Sequence, residues 1–505
     1  MFSALEARIS CKTSKGGCLA PLRRGFPIKR PRECYILRTS GLLSSENIKR
    51  IHLTGIGGIS MSGLAEILAS QGYMVTGSDM RSSSITAKLE KMGIKVTIGH
   101  QAENVTGADL IVYTAAVRPN NPELIAAAQI GIPCIDRATL LGEIMKKYHE
   151  SIAVSGTHGK TTTTSMVSMI LLEEGLDPTI HIGGELSAIG GTTRIGASDY
   201  FVAEACEYTG SFLKFYPYLA VILNIEYDHA DYYKNFNEVK EAFLGFAKLV
   251  PEDGCLLVNG DDPSAMDIMN QVSCRKITYG LKTQQYDWSA SNISFDDMGC
   301  ATYTLIHRNK PVAEIRLKVP GIHNVGNSVA AVAAGAIMGC SLTSAVRALQ
   351  KFSGTGRRFE LKGVCEGVTV IDDYAHHPSE VAATLKAAQN CAHSHIWCVF
   401  QPHTYSRTKY LMDEFETAFN EADTVVITDI YAAREADTGE VNSKMLAERI
   451  AAAGKKVFYI KEFDNIAEFL DKHTESGDLV ITMGAGDIYK VGEMFLEIRK
   501  KLAVS

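Results

Sequence analysis

The sequence predicts an α/β protein of three domains, and three observations carry that expectation. Apolar, β-branched runs recur along the chain and break into glycine turns or charged strand ends, each followed by a helix-like stretch. That alternation builds parallel sheets covered by helices. The length of 505 residues is about three times a typical domain. Residues with chemistry to offer fall in three blocks, so the expected boundaries are 47–148, 149–353 and 354–505.

Residues 1–46 stand apart. Residues 1–50 hold eleven Lys/Arg against three Asp/Glu, whereas the whole chain has a net charge of −6. This basic extension has no apolar core of a signal peptide. It fits an organelle-targeting segment, a mis-called start or a disordered tail. The remaining acidic balance points away from nucleic acid as a partner. No apolar run approaches ~18 residues, so no membrane span is expected. Twelve scattered cysteines without a C-x-x-C pair argue against zinc and redox motifs and fit a reducing cytoplasm.

In the first block, residues 49–63 read as strand, glycine turn and helix, with Gly55, Gly57 and Gly58 in the turn and Ile59, Ser60, Met61 and Ser62 after it. A second strand over 72–79 ends in Asp79, placed for a ribose or a loop contact. Further strands are expected over 110–114, ending at Thr114, and near 133–135. Ser60 stands where a third glycine would complete G-x-G-x-x-G, so both a dehydrogenase and a nucleotide-sugar reading fit.

The second block opens on a β-branched strand, Ile152 to Val154, that runs into Gly156-Thr157-His158-Gly159-Lys160-Thr161-Thr162 and a helical stretch over 165–174. A strand feeding a tight turn into a helix N-terminus makes an anion site. Lys160 would meet the β- and γ-phosphates and Thr161 would offer its hydroxyl to Mg2+. The strict phosphate-loop pattern needs a glycine where Val154 stands, so this is a shortened G-x-x-G-K-T. Strands over 199–205 and 218–224 deliver Glu204, Asn224 and then His229 to the same sheet edge, as Mg2+ ligands or orienting groups. His323, Asn324 and Asn327 sit at the mouth of an alanine-rich helix expected over 329–338, placed to read an adenine edge.

The third block begins near Arg357-Arg358-Phe359. Its strands are expected over 368–373, 396–400, 424–429 and 479–483, and each ends in polar groups: Asp372, Asp373, His376 and His377 after the first, His403 and Arg407 after the second. Four strands alternating with helices make a third α/β unit with its own functional edge.

Between Ile51 and Gly486 these stretches resemble the Mur ligase family. The shared stretches are the Gly55 turn, Gly156 to Thr162, Glu204-Ala205, Asn224 to His229, His323 to Asn327, Arg357 to Phe359, Asp372 to Pro378, Phe400 to His403 and Tyr405 to Thr408, and Asp429 to Ala432. The Gly55 turn and the Asp372–Pro378 stretch are most similar to the members that add alanine to UDP-N-acetylmuramate. The resemblance implies a Rossmann-like N-terminal UDP-binding domain, a central P-loop-type ATPase domain with a mostly parallel sheet, and a Rossmann-like C-terminal domain that binds the amino acid. It implies ATP-dependent ligation of L-alanine to the lactyl carboxylate of UDP-N-acetylmuramate through an acyl phosphate, a cytoplasmic step of peptidoglycan precursor synthesis, by a monomer or homodimer. The alternative is a sister ligase that adds a preformed murein tripeptide to the same sugar nucleotide. An oxidoreductase and a catalytically silent P-loop scaffold are the readings from other classes.

The roles implied are these. Lys160, Glu204, His229, Arg358, Asp373 and His376 are catalytic, with Asp373 partnering His376 as it deprotonates or orients the amine. ATP lies on Gly156 to Thr162, His323, Asn324, Asn327, Arg358 and Asp373. UDP-N-acetylmuramate lies on Gly55, Gly57 to Ser62, Asp79, Thr114, His158, Asn224 and His229. His376, His403 and Arg407 take the amino acid, and Thr161, Glu204 and His229 hold Mg2+. Thr404 departs from the pattern, since many relatives have arginine there, so that contact is carried by Arg407 alone.

Overall fold

In the computed structural model the described residues are 41–502 apart from residue 46, so nearly all of the basic extension lies outside them. Three sheets follow one another along the chain. The first contains β1 (Arg50–Thr54), β2 (Met74–Asp79), β3 (Lys95–Ile98), β4 (Leu110–Tyr113) and β5 (Cys134–Asp136). All are parallel, in the order β3-β2-β1-β4-β5. Ile51 and Leu53 are fully buried, as expected of a parallel strand covered on both faces. The order reverses between β1 and β4, which opens the crevice where ligands of such sheets collect. Gly55 and Thr114 stand at that point; helix α1 (Ile59–Ser70) follows Gly55, and α2 (Arg137–Met145) follows β5.

The second sheet has ten strands: β6 (Glu150–Ser155), β7 (Thr179–Leu186), β8 (Gly191–Arg194), β9 (Tyr200–Glu204), β10 (Leu219–Ile222), β11 (Cys255–Asn259), β12 (Arg275–Gly280), β13 (Trp288–Phe295), β14 (Cys300–His307) and β15 (Lys310–Pro320). They run β15-β14-β13-β12-β11-β10-β6-β9-β7-β8, parallel through the middle and antiparallel at both edges. Helix α3 (Lys160–Glu174) leaves β6 directly and packs against α4 (Ile322–Ile337). Both helices begin earlier than the sequence suggests. Gly159 and Gly321, each at positive φ, turn the chain sharply enough for the first helical residue to follow at once. His323, Asn324 and Asn327 therefore lie on α4 itself.

The third sheet contains β16 (Glu360–Cys365), β17 (Val368–Asp373), β18 (Ile396–Phe400), β19 (Thr424–Ile427), β20 (Lys456–Tyr459) and β21 (Leu479–Met483) in the order β16-β17-β21-β18-β19-β20. It has six strands instead of the expected four. Both additions are edges, and β16 is antiparallel. Helix α5 (Pro378–Ala388) follows β17, with proline at its first position and His377 and Glu380 forming a capping box.

The three units are joined in two different ways. One apolar cluster runs unbroken from Leu53 and Ile144 beside the first sheet to Phe212 and Phe243 beside the second. The third sheet buries its own two clusters, and it meets the second across hydrogen bonds and ion pairs. A seam of that kind opens at lower cost than a shared core.

Candidate active site

The phosphate loop sits where β6 ends. Gly159 has φ +82°, and a Cβ there would stand 2.6 Å from Asn327 Oδ1, so only glycine lets the loop lie against α4. Asn224 clamps the loop from β10: its Oδ1 accepts from His158 N at 2.7 Å and its Nδ2 donates to His158 O at 3.1 Å. Lys160 Nζ donates to Gly156 O at 2.5 Å and Thr157 O at 3.0 Å, and pairs with Glu207 at 3.0 Å. Sequence reasoning passed over Glu207, whose one signal was its place three residues after Glu204. His229 Nε2 lies 3.7 Å from the same carboxylate, and its ring lies 4.6 Å from that of Tyr208.

Glu204 ends β9, and its Oε1 accepts from Gly183 N on β7 at 2.6 Å. Burial raises its pKa against the opposing pull of Gly183 N–H, Lys160 and the Thr161 hydroxyl. A half-buried carboxylate beside a hydroxyl is a hard oxygen donor set, and it fits Mg2+.

A cavity of about 350 Å3 separates the second sheet from the third. His158, Gly159, Thr162, His323, Asn324 and Asn327 line it from below, and Arg358 and Asp373 from above. Asn259, Asp261, Tyr279 and Leu281, from the ends of β11 and β12, close its far end and were not anticipated. The two adjacent arginines part ways. Arg357 is spent on Asp372 Oδ2 and the carbonyls of Gly484 and Gly486. Arg358 remains on the cavity wall, 3.8 Å from Glu380 and over the Tyr374 ring.

Several expected placements need correcting. His158 was expected to face the sugar nucleotide but turns to the third unit. Its Nε2 meets Ser379 Oγ at 2.8 Å and Glu226 Oε2 at 3.2 Å, and its Nδ1 lies 3.2 Å from Glu380 Oε1. Burial works against its protonation, but Glu380 and Glu226 outweigh burial and push the imidazole up to about 9. Asn224 likewise lines the ATP-side cavity. Met61 and Ser62 lie on the inward face of α1 at 2% and 6% exposure, so neither side chain meets a ligand. Of the two roles open to Asp79 the loop contact holds, since it braces the glycine turn by accepting from Gly57 N at 2.9 Å.

Asp373 does not partner His376. Its oxygens accept from Phe359 N and Ala375 N, both at 2.7 Å, and burial pushes it up to about 6. The carboxylate beside His376 is Glu380, at 3.3 Å. Burial holds His376 down to about 3. Its Nδ1 faces Tyr374 O at 2.9 Å, and a carbonyl only accepts, so Nδ1 carries the proton and Nε2 keeps its lone pair. Arg407 is not free for a substrate carboxylate. Its Nε and Nη2 bond Asp228 at 3.0 and 3.1 Å, and its Nη1 meets His403 Nδ1 at 3.0 Å. Thr404 caps the helix that carries Arg407. His376 and His403, both half-buried, thus join the buried Arg407 and Asp228 in one cluster between the second and third units.

Comparison with known proteins agrees with this layout. The Mur ligase family catalytic domain matches residues 50–149, the Mur ligase middle domain residues 154–335, and the Mur ligase glutamate ligase domain residues 357–486. The chain is 58% identical over 464 residues to a UDP-N-acetylmuramate–L-alanine ligase of Acetivibrio thermocellus, covering 92% of this chain and 99% of that one. It is 54% identical over 456 residues to the enzyme so named from Caldanaerobacter subterraneus, covering 90% and 99%. Among solved structures, a UDP-N-acetylmuramate-alanine ligase of Thermotoga maritima superposes with a TM-score of 0.75 at 29% identity, covering 90% and 99%. A murein peptide ligase of Psychrobacter arcticus gives 0.66 at 25%, covering 89% and 98%.

Proposed function

The chain belongs to the Mur ligase family, and we propose that it joins L-alanine to the lactyl carboxylate of UDP-N-acetylmuramate, converting ATP to ADP and phosphate. One observation carries the reading best. Lys160, Thr161 and Arg358 all act on the Glu204 carboxylate, and Arg358 faces Gly159 and Thr162 of the loop across the cavity. The relatives named for alanine addition, at 54–58% identity, favour alanine over a tripeptide.

The lactyl carboxylate attacks the γ-phosphorus and releases ADP, leaving an acyl phosphate. The alanine amine then attacks the acyl carbon, and the tetrahedral adduct expels phosphate. The first step brings a carboxylate onto a triphosphate, so its barrier is dominated by like charge. Lys160 and Arg358 are the cations that offset it, and fixed charges of this kind are worth most in a closed site. Glu207 is the counter-ion of Lys160, and Lys160 reaches the phosphates by leaving it. Thr161 and Glu204 would hold Mg2+, with a second ion near His229 and Glu207; bound there, the metal adds countercharge to the β- and γ-phosphates.

In the second step the amine must be neutral, whereas an α-ammonium is charged at neutral pH. Neutral His376 accepts a hydrogen bond from that amine at Nε2 and orients it toward the acyl carbon; a base held down to about 3 contributes little as a proton acceptor. A coupled phosphate-release assay with ATP, UDP-N-acetylmuramate and a panel of amino acids tests the reading. Alanine-dependent turnover is expected. Turnover with the murein tripeptide alone would move the chain to the sister activity, and no ligand-dependent turnover would defeat both.

A further inference from the structure

Around the Ser379 hydroxyl the second and third units present a donor set that the mechanism above does not use. Ser379 lies in the first turn of α5, and His377 caps that helix. His158 comes from the loop after β6, and Glu226 follows β10. Three side-chain atoms surround Ser379 Oγ at equal distance: His158 Nε2, Glu226 Oε2 and His377 Nδ1 each stand 2.8 Å from it. They are also close to one another. Glu226 Oε2 lies 3.2 Å from His158 Nε2 and 3.8 Å from His377 Nδ1. Ligands held ~2.0–2.1 Å from a tetrahedral ion stand on the order of 3.3 Å apart, so the triangle is near the size of such a shell.

The outward nitrogens decide what faces inward. His158 Nδ1 lies 3.2 Å from Glu380 Oε1, and His377 Nε2 lies 3.3 Å from Tyr227 O. A carboxylate and a carbonyl only accept, so each outward nitrogen carries its proton. A carboxylate or carbonyl behind an imidazole is the support that histidine ligands of metals receive. His377 Nδ1 therefore turns a lone pair inward. Ser379 has one hydroxyl proton for two acceptors, that lone pair and the Glu226 carboxylate, and its amide reaches His377 Nδ1 only at 3.4 Å. His158, Glu226 and Ser379 line the cavity, which gives an ion its way in.

We propose that His158, Glu226 and His377 bind a divalent cation of the zinc class, which fastens the third unit to the loop after β6. Two imidazoles and one carboxylate suit Zn2+, whereas Mg2+ takes oxygen ligands, so the site differs in chemistry from Thr161 and Glu204. The ion takes the place of the Ser379 hydroxyl and displaces any proton on His158 Nε2, which passes to solvent. The inference goes beyond the proposed function, and its binding arms need no substrate.

The test is calorimetric titration of the full chain with zinc chloride in millimolar Mg2+, for the wild type, His158→Gln, Glu226→Gln, His377→Gln, Ser379→Ala and Glu204→Gln. X-ray absorption at the zinc edge reads the ligands in the wild type, where two imidazoles and oxygen are expected. Each change at His158, Glu226 or His377 should weaken zinc binding by roughly a hundredfold, while Ser379→Ala and Glu204→Gln bind at least as tightly as the wild type. Equal affinity in the wild type and the His158, Glu226 and His377 variants would overturn the site, and so would a shell of sulfur. A loss confined to Glu204→Gln would overturn it by moving the ion to the phosphate loop, and a large loss in Ser379→Ala would overturn its placement at the hydroxyl. In the phosphate-release assay Zn2+ should inhibit the wild type, EDTA should restore it, and His377→Gln should resist relative to its own zinc-free rate. Equal inhibition of both would overturn the fastening. Absence of turnover without zinc would defeat the functional reading and leave the binding result standing.

Discussion

His158 couples the phosphate loop to the third unit by a charge, and that coupling is open to titration. The imidazole is pushed from its ordinary 6.5 up to about 9 by Glu380 and Glu226, a difference that corresponds to about 3 kcal/mol at ~1.36 kcal/mol per pH unit. Glu226 is 42% exposed, so screening by solvent and salt brings the expected effect down to roughly 2 kcal/mol. A group whose folded pKa is raised gives stability that is complete below its unfolded value and lost as pH climbs through the folded one. The window is therefore pH 6.5 to about 9. Glu226, held down to about 2 by the same contact, gives stability present above about 4.5 and lost as pH falls toward 2. The two shifts describe one interaction and are not summed. Urea unfolding of the wild type and His158→Gln at pH 6, 7, 8 and 9, at low salt, reads the difference. The wild type should lose about 2 kcal/mol more than the variant across that window, and the His158 Cε1 resonance should titrate near 9. Parallel pH dependences, or a His158 midpoint below 7.5, would refute the assignment of charge to this contact.

Lys160→Ala should lower turnover by at least ~10²–10³-fold while UDP-N-acetylmuramate binds within twofold of wild type by calorimetry; equal loss of both would remove Lys160 from the phosphate site. Breaking the buried Asp228–Arg407 pair from one side should cost about 3–5 kcal/mol, and Asp228→Asn with Arg407→Met should cost less than the sum. Additive unfolding energies would show that the two side chains are not coupled. His376→Gln should raise the alanine KM at least tenfold and leave the pH profile of kcat in place; a lost basic limb would restore His376 as a proton acceptor. Small-angle scattering should show contraction when an ATP analogue and UDP-N-acetylmuramate are added together, since the polar seam lets the third unit move. An unchanged scattering curve would contradict that.

Strand ends and glycine turns were legible because their physics is local. Gly156 to Thr161 forms a phosphate loop from its own dihedrals, and β1, β6, β17 and β21 are apolar runs that nothing else explains. The strands that escaped notice lie toward the sheet edges. β15 alternates exposed and buried positions, and β16 exposes Leu361 and Val364, so neither reads as a core strand. Side-chain pairings were the least legible. Ser379 and His158 are 221 residues apart, and Arg407 and Asp228 179 apart. A motif shows that an arginine is present but not that a distant aspartate has already claimed it. The Asp373–His376 pairing failed for a related reason. Two backbone amides satisfy Asp373 first, and Glu380, one helical turn after His376, presents its carboxylate to the ring.

The two kinds of joint divide the molecule into a fixed half and a swinging half. The first and second units share one apolar cluster, so shearing them apart would expose hydrocarbon to water. The third keeps its clusters to itself and reaches across with polar groups such as Ser379 to His158. Water replaces such partners one at a time, so the third unit works as a door whose catch sits on the loop after β6.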